Sequence, residues 1–228
     1  MQSEPIVSRL RALADPKYAE FHRGLIPGTA PESVIGVRLP ELRKLARELR
    51  GSAEAEEFMR RLPHEFYDEN CLHGLLINEL RDYGETLTAL RAFLPYVDNW
   101  AVCDLLSPRA FKSRPEGLLG EVRAWLASGE TYTVRFGLGV LLGFYLDAGF
   151  DPEQLEMAAG CCCGDYYVDM MVAWYFATAA AKQPEAALPY IYERRLSRWV
   201  HNKTIQKCVE SRRIPPELKE QLKALRWK

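Results

Sequence analysis

The sequence predicts an all-α protein: a solenoid of about a dozen helices, roughly 8 to 18 residues each, with a concave face. Three observations carry this reading. Apolar residues recur at helical spacing in segment after segment, and no run keeps the alternation of a strand. Pro, Gly and Asp/Ser capping residues divide these segments at short intervals. Each segment has one apolar stripe, so each must pair with a neighbour to bury it, and stacked pairs make a solenoid. No exact repeat is present, and a compact helical fold satisfies the same pattern. A chain of 228 residues supports one substantial core or two modest ones, and with no low-complexity linker a single domain over 1–228 is expected.

Taken in order, the first helix is expected over Pro5–Leu13. The stretch from Lys17 to Gly36, punctuated by Gly24, Pro27, Gly28 and Pro31, reads as an irregular loop. Pro40 suits the first turn of the next helix, where its missing amide hydrogen costs nothing, and Leu42, Leu45, Ala46 and Leu49 form its stripe. Ser52 is placed to cap Ala53–Arg61. Helices follow over His64–Arg81 and Glu85–Leu94, and Asp98 or Asn99 caps a short one containing Trp100 and Asp104. Next come Glu116–Ala127, a long apolar helix from Thr131 or Thr133 to Leu146, and Glu153–Ala159 behind Asp151-Pro152. The last four are Asp165–Lys182, Glu185–Arg194, Ser197–Glu210 and Glu217–Arg226.

Several function classes lack their residues. There is no Gly-x-Gly-x-x-Gly, phosphate-binding loop or Gly-x-Ser-x-Gly elbow. The four histidines form no ligand pair at helical spacing, and Cys161, Cys162 and Cys163 are adjacent, which suits thiols in a reducing compartment better than a tetrahedral metal. No cofactor and no metal are expected. The apolar stretches Phe136–Leu146 and Met170–Ala181 are too short to span a bilayer, and the N-terminus has no signal-peptide pattern, so the expected location is cytoplasmic. Net charge is −1, but residues 191–228 carry 11 Lys/Arg against 4 Asp/Glu, while the preceding 190 residues carry 19 against 27. Such asymmetry either focuses a field on one surface or marks solvated C-terminal helices.

The candidate chemistry lies in four residues. Trp100 and Asp104 stand at i and i+4, on one helical face. Arg135 interrupts an apolar run, and Trp174 sits within another. One account is purely structural: core tryptophans and a buried ion pair. The other sets the four along a concave face as a receptor for a flat cation, attracted by indole faces and a carboxylate. An N-alkylated purine in DNA is such a group. Breaking its glycosidic bond builds positive charge on the sugar, which Asp104 can stabilise while it positions water. Arg135 would hold phosphate.

On these residues the chain resembles the AlkD-like DNA alkylation repair family, from about Gly36 to the C-terminal helices. Ile35–Leu45 (Ile-Gly-Val-Arg-Leu-Pro-Glu-Leu-Arg-Lys-Leu) is similar to the family's early repeat signature. Asp104 with Trp100, Arg135 and Trp174 fall on the family's active-site positions. The resemblance implies HEAT-like repeats and a monofunctional DNA glycosylase, a hydrolase of DNA repair acting on cationic 3-alkyl- and 7-alkylpurines in duplex DNA. It implies a lesion that stays stacked, and a DNA-bound monomer without metal or cofactor. Lyase activity is not expected, because no lysine is evidently desolvated. Arg38, Arg43, Lys44, Arg47, Lys203 and Lys207 are candidate contacts to the DNA backbone. Two positions depart from the family pattern. Asn99 replaces a second aromatic, and the 17–36 loop stands where active members carry a short helix that grips DNA, as in the subgroup lacking it. The alternatives are a non-catalytic binding module, or an enzyme on another cationic or ribosyl substrate.

Overall fold

The computed structural model describes residues 4–228. Among the described residues the regular structure is helical, apart from one isolated bridge between Ala14 and Val37. The chain divides into two compact units, Met1–Pro115 and Glu116–Lys228, each packed from helices in the manner of a helical-repeat solenoid.

The first unit contains α1 (Glu4–Ala12), α2 (Pro16–Arg23), α3 (Leu39–Leu49), α4 (Ala53–Arg60), α5 (Tyr67–Glu79), α6 (Tyr83–Phe93) and α7 (Trp100–Leu105). Helices α3, α5 and α7 lie side by side, and α1, α4 and α6 pack against α5. That central position explains why α5 is buried almost all round, with Leu72, Leu76 and Ile77 closed off from water. The caps follow the chemistry of their residues. The Ser52 hydroxyl accepts from the Ala55 amide, the Asp82 carboxylate from Glu85, and the Asn99 side chain from Val102.

One expectation is overturned here. Residues 17–36 are not loop throughout, because Pro16–Arg23 is helical. Asp15 caps it, accepting from the amides of Lys17 and Tyr18, and Pro16 occupies the first turn. The rest of the segment is held by Asp68 of α5. Its fully buried carboxylate accepts from the amides of Ile35, Gly36 and Val37 at 2.7–3.2 Å. Gly36 has φ +94°, and a Cβ there would come within 2.5 Å of that of Ala19, so only glycine lets the loop lie this close to α2.

The second unit contains α8 (Leu118–Leu126), α9 (Thr131–Phe144), α10 (Glu153–Ala159), α11 (Tyr166–Lys182), α12 (Pro184–Tyr192), α13 (Arg198–Glu210) and α14 (Pro216–Ala224). Its inner row is α9, α11 and α13. Helix α8 backs α9, α10 and α12 back α11, and α14 backs α13. Ala177 and Ala180 on α11 meet Ile205 and Cys208 on α13 and Leu222 on α14 in one apolar cluster. Small residues on α11 let α13 approach closely, which orients the exposed edges of both helices.

Candidate functional site

The first unit supplies Trp100 and Asp104. Both lie on the six-residue helix α7, both are half-buried, and their four-residue spacing sets them on one face. The Trp100 indole N–H donates to the Leu25 carbonyl at 2.9 Å. The indole is therefore fixed by the segment that follows α2. That segment is itself tied to α5, because the buried His22 imidazole shares a 2.7 Å hydrogen bond with the Tyr67 hydroxyl. Burial lowers the His22 pKa and raises that of Tyr67, so both are neutral at neutral pH. Asn99 is also accounted for: it is buried, caps α7, and its amide donates to Asp98. An aromatic there would lose that cap.

On α3, Arg43, Lys44 and Arg47 are exposed. Arg38 precedes the helix, pairs with Asp15 at 2.8 Å and lies 5.1 Å over the Tyr18 ring. Lys44 lines a shallow cleft with Arg9, Glu41 and Glu48, so this edge is mixed in charge, not purely basic.

The second unit supplies Arg135 and Trp174. Arg135 is only 4% exposed, and its guanidinium donates to the Tyr167 carbonyl at 2.6 Å. Trp174 is the opposite case: flanked on α11 by the buried Ala173 and Tyr175, it stands 43% exposed. It lines an open cleft of about 470 Å³ with Thr178, Lys207 and Arg213. Sequence reasoning passed over a second aromatic position in this unit. Tyr166 and Trp199 pack edge-to-face at 5.8 Å, with Lys203 Nζ 5.5 Å from the Trp199 ring. The available signal was the spacing Trp199, Lys203, Lys207, which sets all three on one face of α13.

Among the described residues no group of three or more His, Cys, Asp or Glu is placed to hold a metal ion. His64 and His73 hydrogen-bond to each other at 2.8 Å, and His73 stacks on Phe93. Burial pushes His64 down to about 4 and His73 to about 3, so this pair is neutral core. The cysteines are unbridged. Burial lifts Cys161 to about 11, and Cys163 is exposed. No described helix is long and apolar enough to cross a membrane.

Helices stacked side by side and backed by a second row define a helical-repeat protein. The chain matches the family described as DNA alkylation repair enzyme over residues 6–208, which is most of its length. It belongs to that family, and DNA repair is its setting. No curated protein matches the chain.

Proposed function

We propose that this protein is a monofunctional DNA glycosylase hydrolysing the N-glycosidic bond of cationic 3-alkyl- and 7-alkylpurines in duplex DNA. The observation that carries the reading is the state of α7. Asp104 and Trp100 share one face, neither is closed into the core, and the indole is pinned through its N–H. A tryptophan held by its edge keeps its ring in place for a cationic base. As the C1′–N bond breaks, its electron pair passes to the alkylated ring and neutralises it. The Asp104 carboxylate stabilises the positive charge left on the sugar. It also orients the water whose oxygen bonds to C1′ and whose proton goes to solvent. Trp174 contacts the lesion and its deoxyribose. Arg135 serves the phosphate, and Arg38, Arg43, Lys44, Arg47, Lys203 and Lys207 serve the DNA backbone.

One observation favours a second reading, a non-catalytic helical-repeat binding module: the Arg135 guanidinium is buried and spends a donor on a backbone carbonyl. Release of free 7-methylguanine from methylated duplex DNA separates the two. The glycosylase releases it well above the rate of spontaneous depurination. The binding module leaves that rate unchanged.

A further inference from the structure

The C-terminal half of the second unit carries a feature of which the hydrolytic reading uses only Lys203. Arg198, Trp199, Asn202, Lys203, Gln206 and Arg226 line an open cleft of about 420 Å³. Three of the six are cations and two are amides, and the described lining includes no carboxylate. Trp199 is 40% exposed, and Tyr166, packed against it, is 57% exposed. Large aromatic surface left in water beside clustered cations marks a binding surface more than a core edge.

The two rings meet at 65°, so the ring whose edge makes the contact keeps its faces clear of its partner. They are held in place before any ligand arrives, which lowers the ordering cost of binding. Arg198 donates to the Lys228 carbonyl and Lys203 to Gln206. A guanidinium has five N–H donors and an ammonium three, so each retains capacity for an anion. A planar ring next to phosphates answers this combination. An acidic peptide would use the cations and leave the aromatic rings without a role.

Position narrows the ligand further. Tyr166 precedes Trp174 by eight residues on α11, a rise of about 12 Å. On α13, Lys203 attends Trp199, and Lys207 lies four residues on, in the cleft of Trp174. A strand lying along this helix pair meets an aromatic with a lysine twice. The separation is roughly three or four stacked nucleotides at about 3.4 Å each. Within a duplex both faces of every base are covered, so an aromatic platform has nothing to stack on.

We infer that Tyr166 and Trp199, with Arg198, Lys203 and Arg226, form a subsite for one unpaired nucleotide of DNA, the rings stacking on its base and the cations holding its flanking phosphates. The inference rests on the DNA-substrate part of the proposed function and not on the hydrolytic step. It gives the protein a preference for strands that are open near the Trp174 cleft, such as gaps, overhangs or frayed ends.

The test is fluorescence anisotropy with a labelled oligothymidylate of about ten nucleotides, against an unmodified duplex of the same length. The wild type binds the single strand more tightly. Trp199→Ala weakens single-strand binding by at least about tenfold and duplex binding much less, whereas Trp199→Phe stays within about threefold of wild type. Lys203→Gln combined with Arg226→Gln flattens the salt dependence by about 1.4 in log–log slope. Thermal unfolding of each variant reports whether it is folded. Single-strand affinity unaffected by Trp199→Ala, or equal loss on both DNAs, overturns the proposal, as does competition by polyglutamate matching that of oligothymidylate. The probe carries no lesion, so failure here leaves 7-methylguanine release untouched. Absence of that release would in turn leave this binding intact.

Discussion

Two carboxylates in the first unit, Asp68 and Asp104, stand in different surroundings. Asp68 lies on the central helix α5, is closed off from water, and accepts from three consecutive amides. Burial raises its pKa and those hydrogen bonds lower it, with burial the stronger influence. Asp104 lies on a helix of only six residues and is half-buried. The first carboxylate holds the chain in place. The second sits next to a tryptophan that the held segment fixes. Asp68 positions residues 35–37, His22 ties α2 to α5, and Leu25 between them receives the Trp100 N–H. Structural use consumes the acceptor capacity of a carboxylate in the interior, and catalytic use requires a face open to a ligand.

Breaking the structural member has the largest expected effect on stability. Asp68→Ala strands three backbone amides and costs about 3–5 kcal/mol, read as a fall in the denaturant midpoint. The loosened segment releases Trp100, so indole fluorescence changes in the folded variant as well. If stability holds, the latch is not what fixes residues 35–37.

The buried histidine pair sharpens the same comparison through pH. His64 and His73 fall from 6.5 to about 4 and about 3 in the folded state. The unfolded chain therefore binds more protons below pH 6.5. Their contribution is present above that pH and is lost as pH drops towards 4, by on the order of 1 kcal/mol or more per unit. Glu69, raised by burial, works with the opposite sign above its ordinary value. The readout is therefore the difference between wild type and His73→Gln. A shallower acid slope in the variant is expected, and an identical slope contradicts a neutral pair.

The smallest effect belongs to Trp100→Phe, which keeps an aromatic ring and removes the hydrogen bond to Leu25. It costs about 1 kcal/mol of stability. Activity falls through a freer ring, seen as a larger effect on turnover than on DNA binding.

Much of this architecture was legible in the sequence, because it depends on local chemistry. Ser52 and Asn99 cap the helices that follow them, and Glu153–Ala159 has the boundaries expected of it. Helix α2 escaped because it buries only Ala19 and His22, too few residues for an apolar stripe. Its start signal, Asp15-Pro16, was nevertheless the same pair recognised at Asp151-Pro152. The candidate residues were legible as types and spacings, Trp100 with Asp104 above all. Their environments were not. The backbone bond of Arg135, the exposure of Trp174 and the Tyr166–Trp199 contact are set by residues distant in sequence, which periodicity does not report.

The central claim is that Asp104 performs chemistry and Asp68 performs structure. Single-turnover release of 7-methylguanine by wild type and Asp104→Asn tests it most directly, with unfolding midpoints measured on the same samples. The expected result is a fall in rate on the order of 10²-fold or more with the midpoint unchanged. Release by Asp104→Asn at the wild-type rate would contradict it.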